Sequence, residues 1–263
     1  MMEALRNNKE TLAVVAVGAV VVSSAALLGL VLSKRNQRAT RRATLQCHCG
    51  KVKAEIHQPA ANYKYAETQN IQCGCNDCMG YCKAVLKEGS TEDAFQESFF
   101  NPGVPTILFY SSEIKLVSGK ELLAHMKISP KTENRRVFTT CCGTPLSISP
   151  DGSPLNLVYC PTISPLTDCG ENEVPFPREV LDKPTLCFHG RKFLEDPASQ
   201  VKAKQPQMTV IAEHNAPKFV LGMIGRLLLL VGLGAKGPGE GFPVEDGKTV
   251  GIGYEAITKS MRK

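Results

Sequence analysis

Residues 70–82 read "NIQCGCNDCMGYC" and place four cysteines, Cys73, Cys75, Cys78 and Cys82, within thirteen positions. Disulfide bonds, a metal site and a redox couple are the possible uses of thiols this close together. The chain has eleven cysteines in 263 residues, which is too sparse for a disulfide scaffold, and they fall in tight clusters rather than in spread pairs. The pattern favours a metal site built from reduced thiols.

Two further clusters enlarge this set. They are "CHCG" at residues 47–50 and "TTCCGTP" at residues 139–145. Four thiolates hold a structural zinc ion in a closed tetrahedron, whereas a catalytic zinc ion keeps three protein ligands and an open fourth position. The natural partition therefore gives two zinc ions, one held by four cysteines and one by three. The first set is Cys47, Cys49, Cys141 and Cys142, and the second is Cys73, Cys75 and Cys78.

The remaining cysteines and histidines receive less specific interpretations. In an extended stretch Cys47 and Cys49 point the same way and His48 points opposite, so we expect His48 to be exposed. Cys82 decides whether the three-cysteine site is open, because a fourth thiolate would close it. Three cysteines without metal-ligand spacing and two histidines on apparent strands are expected to be packed or surface side chains. These are Cys160, Cys169, Cys187, His125 and His189.

The order of the motifs resembles that of the glutathione-dependent formaldehyde-activating enzymes, whose domain also occurs in centromere protein V. "CHCGKVKAEI" is similar to the opening C-x-C-G and its strand, "CGCNDC" to the C-x-C-x-x-C motif, and "VFTTCCGTPLSI" to the closing motif. The resemblance covers roughly residues 44–160. It implies a mainly β, zinc-binding β-tent (Mss4-like) fold and a carbon–sulfur lyase that acts on the adduct of glutathione and formaldehyde.

The resemblance also implies roles for individual residues. Cys47, Cys49 and Cys142 match the structural-zinc ligands, and the cysteines of "CGCNDC" match the catalytic-zinc ligands. The family pattern has a cysteine where this chain has Thr139, and here Cys141 is offered instead, beside Cys142. Gly74 stands where a histidine is common in the family. The departures indicate a "CC-G-T-P" branch of the same superfamily.

An uncharged segment near the amino terminus predicts a membrane anchor. Residues 12–32, "LAVVAVGAVVVSSAALLGLVL", form a run of twenty-one residues without charge, about the ~20 that a helix needs to span a bilayer. A basic flank, "KRNQRATRR", follows the run. The positive-inside rule then predicts a single-pass protein whose zinc domain faces the cytosol. A signal peptide cleaved near Ser24–Ala26 and a buried soluble helix are the alternatives.

The region after the anchor and linker of residues 1–42 is expected to form a mostly antiparallel β domain at residues 43–195. Five segments alternate in polarity and are separated by turn residues. They are "KVKAEI" (51–56), "TILFY" (106–110), "EIKLV" (113–117), "PLSIS" (145–149) and "NLVYC" (156–160). Residues 161–184 are rich in proline and are predicted to be a loop.

Residues 196–263 are interpreted as a carboxyl-terminal extension. Its apolar stretch at residues 217–234 contains Arg226, whose burial at bilayer depth is costly, so a helix packed on the domain or lying at the membrane surface is expected. The net charge of the chain is +6, but residues 1–46 contribute seven basic residues against two glutamates. Because the rest is nearly neutral, no nucleic-acid partner is expected.

Two hypotheses of function follow from the sequence. One is a membrane-anchored carbon–sulfur lyase that binds glutathione or a thiol–aldehyde adduct. The other is a non-catalytic, zinc-stabilised interaction domain held at a membrane. They differ in whether the zinc ion at Cys73, Cys75 and Cys78 keeps a free coordination position.

Overall fold

The computed structural model of the chain describes residues 39–63, 67, 70–88, 98, 103–128, 132–188, 209–211 and 239–243. The predicted span at residues 12–32, the apolar stretch at residues 217–234 and His189 lie outside the described residues. None of the helices that are described has the length and hydropathy needed to cross a bilayer.

The described residues are mainly β, as the sequence predicts. In chain order the elements are β1 (Thr40–Gln46), β2 (Lys53–Gln58), β3 (Asn70–Cys73), α1 (Asn76–Glu88), β4 (Val104–Tyr110), β5 (Ile114–Ser118), β6 (Leu123–Met126), β7 (Asn134–Thr139), β8 (Pro145–Pro150), β9 (Leu155–Tyr159), β10 (Ile163–Pro165), β11 (Glu173–Pro175), α2 (Arg178–Asp182), β12 (Leu186–Phe188) and β13 (Thr209–Ile211). Single turns of 3-10 helix lie at Ala60–Asn62, Ser111–Glu113, Lys120–Leu122 and Cys160–Thr162.

The strands form two sheets. The smaller sheet has the order β10-β1-β2-β5, with β11 pairing in parallel along β1. The larger sheet has the order β13-β12-β3-β4-β9-β8-β7-β6, and its pairs are antiparallel except for β12 with β3 and β13. Short connections between neighbouring antiparallel strands place several hairpin turns at the ends of the sheets.

The two sheets share one apolar core. Alternate residues of β1, Ala43 and Leu45, are buried, and they join Ile56 of β2 and Phe109 of β4 in a single cluster. The alternation arises because successive strand side chains point to opposite faces. Phe109 meets Phe176 edge to face, with ring centroids 5.7 Å apart. This core fixes the distance between the two sheets.

Helix α1 forms a second core with the larger sheet. Tyr81, Cys82 and Val85 of α1 are buried together with Phe138 of β7 and Ile148 of β8. Val137 belongs to the first core and its neighbour Phe138 to the second, so β7 separates the two cores. The architecture is therefore a small sheet, a large sheet and a helix in successive layers.

The five predicted strands correspond to β2, β4, β5, β8 and β9, with ends shifted by at most two residues. The prediction of a loop at residues 161–184 is wrong, because β10, β11 and α2 fall there. Strand β1 begins at Thr40, so Arg41 and Arg42 of the predicted basic flank lie in the sheet, where Arg42 pairs with Glu55 and Glu173. Ion pairs in the fold account for these two positive charges.

Parts of the predicted carboxyl-terminal extension also join the sheets. Strand β13 pairs with β12. The Gly239 N–H donates to the Ser112 carbonyl at 2.8 Å and the Gly241 N–H to the Ile114 carbonyl at 3.0 Å, so residues 239–243 run along the edge strand β5. Phe242 enters the first core. Covering the β5 edge in this way satisfies backbone groups that would otherwise be open to pairing with other chains.

Candidate metal centres

Four of the predicted ligand cysteines lie at two turns, one from each sheet. Cys47 and Cys49 belong to the turn between β1 and β2. Cys141 and Cys142 belong to the turn between β7 and β8. The four sulfur atoms lie within 4.8 Å of one another. The structure thus brings together two pairs of cysteines that are more than ninety residues apart in the chain.

The first turn is shaped by backbone hydrogen bonds around Cys47. The Gly50 N–H donates to the Cys47 carbonyl at 2.9 Å, and the Cys47 N–H donates to the Val52 carbonyl at 3.1 Å. The Val52 N–H in turn donates to the Cys47 sulfur at 3.3 Å. Gly50 has a φ of 76°, which glycine adopts without strain. Residues 47–50 therefore form a turn rather than the extended stretch expected from the sequence, although His48 is exposed as expected.

The second turn is held by Thr139. The Thr144 N–H donates to the Thr139 hydroxyl oxygen at 3.1 Å, and the Thr139 N–H donates to the Thr144 carbonyl at 3.0 Å. Gly143, at a φ of 63°, allows the chain to reverse between these residues. Thr139 thus stands where the family pattern has a cysteine and supports the turn that presents Cys141 and Cys142.

A hydrogen bond from His48 to Thr144 joins the two turns. The His48 N–H donates to the Thr144 hydroxyl oxygen at 3.1 Å, and this hydroxyl also lies 3.1 Å from the Cys142 sulfur. Thr144 was not singled out by sequence reasoning, because its role depends on the pairing of two distant turns. This contact holds the two turns in register.

The sulfur separations fit a tetrahedral zinc ion. Sulfur atoms at about 2.3 Å from a central zinc ion are about 3.8 Å from one another in a tetrahedron. The Cys47–Cys49 distance is 3.6 Å and the Cys47–Cys141 distance is 3.9 Å. The Cys49–Cys141 distance is 3.4 Å and the Cys141–Cys142 distance is 3.8 Å. All eleven cysteines of the chain are free thiols. The four-cysteine cluster can therefore hold a metal ion, and its chemistry suits zinc.

The electrostatics of this cluster favour one thiolate, at Cys142, even without a metal ion. A hydrogen bond from the Cys47 thiol lowers the pKa of Cys142 to about 3, with further hydrogen bonds from Thr139 and Thr144. The same interaction with Cys142, together with burial, raises the pKa of Cys47. Burial raises the pKa of Cys141 to about 11. A divalent cation would supply the positive charge that the other thiols need to ionise.

The second cluster lies where β3 meets α1. Cys73 ends β3, Cys75 precedes the helix and Cys78 lies in its first turn. Their three sulfur atoms lie within 4.8 Å of one another, and the Cys73–Cys75 distance is 3.3 Å. The Cys78 N–H donates to the Cys75 sulfur at 3.3 Å, so Cys75 caps the helix. Free N–H groups at a helix start favour thiolates over thiols.

Hydrogen bonds among the thiols, together with burial, raise the pKa of two cysteines of this second cluster, Cys73 and Cys78. Cys73 and Cys78 are buried and Cys75 is half-buried. A hydrogen bond with Cys75 and burial raise the pKa of Cys73 to about 12. Hydrogen bonds with Cys73 and Cys75, together with burial, raise the pKa of Cys78 well above its ordinary value. Three adjacent thiolates repel one another, and a divalent cation at their centre removes that repulsion.

Cys82 remains outside the three-cysteine group. It is fully buried in α1, one turn after Cys78, and its sulfur is not among the atoms that cluster within 4.8 Å. Burial raises the pKa of the Cys82 thiol well above its ordinary value. The arrangement leaves three cysteines to hold a metal ion.

The other candidates from the sequence have ordinary surroundings. Cys160 and Cys187 are buried, and the half-buried Cys169 donates to the Leu166 carbonyl at 3.2 Å. None of the three joins a potential metal group among the described residues. His125 is buried in β6. That Cys160, Cys169 and Cys187 belong to neither group agrees with the interpretation of these cysteines as packed thiols.

No family model matches the chain, and no curated protein matches it. Among solved structures, the chain is similar to a crystal structure of a Rhodobacter sphaeroides protein from a structural genomics programme. The two share 16% sequence identity with a TM-score of 0.31, over 52% of this chain and 94% of the other. A TM-score at that level carries no inference about function. The case for two metal centres rests on the geometry of this chain's own cysteines.

Proposed function

We propose that this protein is a two-zinc domain of the formaldehyde-activating type, with one structural and one catalytic zinc site. The observation that carries the proposal is the division of seven thiols into a group of four and a group of three. Thiolate ligands in a tetrahedral arrangement select zinc over magnesium or calcium. Two sheets whose turns present the four cysteines to each other also suit the β-tent (Mss4-like) zinc fold inferred from the sequence motifs.

The four-cysteine site serves the fold in this proposal. Cys47 and Cys49 come from the smaller sheet, and Cys141 and Cys142 come from the larger one. A metal ion shared between them ties the two sheets together at their turns. Because such a site does not exist in the unfolded chain, the free energy of metal binding adds to the free energy of folding.

The three-cysteine site serves the chemistry. Cys73, Cys75 and Cys78 would hold a zinc ion with one position left for a thiol from the substrate. A zinc ion bound there would lower the pKa of the incoming thiol and hold it beside an aldehyde carbon. Cys82 does not compete for that position, because its thiol is buried in the α1 core, where burial raises its pKa.

The proposed reaction is the reversible addition of glutathione, or a related thiol, to formaldehyde. The thiolate sulfur forms a bond to the carbonyl carbon while the carbonyl electron pair moves to oxygen and takes up the proton that the thiol lost. The reverse direction breaks the carbon–sulfur bond and defines a lyase. No electron acceptor is needed, because the addition involves no net oxidation or reduction.

A non-catalytic zinc-stabilised interaction domain is the second candidate. One observation favours it: the three-cysteine group contains no histidine, aspartate or glutamate among the described residues. A site without such a side chain must obtain its proton transfers from water or from the substrate. The two candidates make the same prediction for zinc content and opposite predictions for turnover.

The test combines zinc analysis with turnover of thiol–aldehyde adducts. The full chain should carry two zinc ions and convert the glutathione–formaldehyde adduct. Cys75→Ser should lose one zinc ion and all turnover, while its fold survives because the four-cysteine site is intact. Cys169→Ser, in an equally half-buried thiol outside both clusters, is the matched control and should keep both. Two zinc ions with no turnover across a panel of adducts would refute the lyase and leave the interaction domain.

We also propose that residues 12–32 anchor the protein in a membrane, with the zinc domain on the cytosolic side. The support is the uncharged run itself and the basic residues that follow it. Since Arg41 and Arg42 belong to β1, the flank that orients the anchor reduces to Lys34, Arg35 and Arg38. A reducing compartment would keep the seven ligand thiols available for zinc.

A further inference from the structure

Arg136 is a buried cation in the core between α1 and the larger sheet. It lies in β7, opposite Met126 of β6 and Ile148 of β8, and its exposed fraction is 4%. Its guanidinium carbon is 5.8 Å from the ring centroid of Tyr81 in α1. Arg136 therefore lies beneath the helix whose first turn carries Cys78.

Among the described residues, no acidic side chain pairs with the guanidinium group of Arg136. Its Nε and Nη1 atoms are buried and donate no hydrogen bond, and no carboxylate among the described residues forms an ion pair with it. Its neighbour Arg135, by contrast, is paired with Asp151 at 3.2 Å. A buried arginine without an anion is costly, because its lost hydration is not replaced.

The acidic groups near Arg136 do not supply a negative charge. They are the hydroxyl of Tyr81, the thiol of Cys82 and the hydroxyl of Tyr159. Burial raises the pKa of each of these three groups well above its ordinary value, so all three are neutral near pH 7. Among the described residues of this core, no ionised acidic group balances the charge of Arg136.

The three-cysteine site would provide a balancing anion. Three thiolates and one divalent cation carry a net charge of −1, and two of the three cysteines are buried. Tyr81, whose ring centroid is 5.8 Å from the guanidinium carbon, lies three residues after Cys78 in α1 and is buried in the same core as Cys73 and Cys78. The four-cysteine site would carry −2, but its Cys49 is exposed, so water can screen its charge.

We propose that Arg136 is the charge-balancing residue of the three-cysteine metal site, its buried guanidinium group offsetting the negative charge of three thiolates and one divalent ion. The proposal rests on the zinc site of the proposed function. It explains why this cation is retained in an apolar core, and it assigns the residue to metal affinity rather than to substrate contact.

The test measures zinc affinity by competition with a chromophoric chelator. Arg136→Met keeps the length and apolar stem of the side chain and removes its charge, so the second zinc ion should bind about 10-fold to 100-fold more weakly. The first zinc ion should bind as tightly as before. Arg136→Lys, which keeps the charge, should restore most of the affinity. Arg135→Met, at the neighbouring half-buried and ion-paired position, should change neither zinc ion.

The possible results separate the two proposals. Unchanged affinity for both zinc ions in Arg136→Met would overturn the charge-balancing role and leave the two-zinc function standing. Weakened binding that Arg136→Lys fails to restore would also overturn it. A parent protein with only one zinc ion would instead refute the proposed function. If Arg136→Met does not fold, Arg136→Gln, which retains polar donors, makes the same comparison.

Discussion

Glu113 provides a prediction in which structure sets both the sign and the size of a pH effect. It lies between β4 and β5 with an exposed fraction of 1%. One carboxylate oxygen accepts the Asn62 side-chain N–H at 3.0 Å, and the other accepts the Tyr110 backbone N–H at 2.7 Å. Burial nonetheless raises the pKa of Glu113 from 4.5 to about 7, because the two hydrogen bonds offset only part of the lost hydration.

This raised pKa makes the folded state less stable as the pH rises. Below the unfolded value of 4.5 the carboxyl is protonated in both states, and no cost arises. Between pH 4.5 and about pH 7 the unfolded chain ionises while the folded chain does not, so the free energy of unfolding falls. The difference between 4.5 and about 7 in pKa corresponds to about 3 kcal/mol, all of it lost above about pH 7.

Glu113→Gln should remove this pH dependence. Asn62 can reverse its amide to accept the new N–H, since its Oδ1 atom has no hydrogen-bond partner. Measured by urea unfolding with zinc present, the variant should gain about 2 kcal/mol relative to the parent between about pH 5.5 and about pH 8. Proton competition for the zinc ligands affects both proteins and cancels in this difference.

Glu171→Gln is the matched control, because Glu171 is exposed. Its unfolding free energy should follow that of the parent at every pH. A constant difference between Glu113→Gln and the parent across the whole range would show that Glu113 does not titrate with a raised pKa in the folded chain, and the reasoning from burial would be refuted.

Three further predictions concern the metal, the carboxyl-terminal segment and the membrane. Cys142→Ser should lose one zinc ion and more than about 4 kcal/mol of unfolding free energy. The control Cys160→Ala should keep both zinc ions. The same zinc content in Cys142→Ser and in the parent would contradict the structural site. Gly239→Ala should lower the free energy of unfolding by about 1–3 kcal/mol and expose the carboxyl-terminal segment to protease, since a Cβ there would be 2.0 Å from the Ile114 carbonyl oxygen. The control Gly170→Ala, whose Cβ would have its nearest contact at 3.4 Å, should leave stability and protease resistance unchanged. Alkaline carbonate should leave the full chain in the membrane fraction, and release of the intact chain would refute the anchor at residues 12–32.

The sequence predicts those features that depend on short stretches of chain. The thiols of "CHCG" and "CGCNDC" are close because they are two or three residues apart, so a metal site can be inferred without knowing the fold. The strands β2, β4, β5, β8 and β9 follow from their alternating polarity. In each case the signal lies within about ten residues.

Other features depend on contacts between distant segments. In the sequence, Arg41 and Arg42 of β1 resemble the basic flank of a membrane span. In the fold, Arg41 pairs with Glu67, and Arg42 pairs with Glu55 and Glu173. Helix α1 was not predicted, because Gly80 and the cysteines weaken its helical pattern, and packing against β4 and β8 stabilises it. The role of Arg136 has no sequence signal, since "NRRVF" does not reveal which arginine finds a carboxylate.

The different openness of the two metal centres follows from the backbone that presents the cysteines. Turns can each place two thiols on one side, so two facing turns supply four and close the tetrahedron. A strand end and a helix start supply three, and the next cysteine of the helix, Cys82, is four residues beyond Cys78 and about 6 Å further along the axis. Residues four apart share a helix face, but the Cys82 side chain is buried in the core with Tyr81 and its sulfur stays outside the three-sulfur group. The packing that buries Cys82 therefore leaves three cysteines for this metal ion, and under the proposed function the fourth position is available to a substrate thiol.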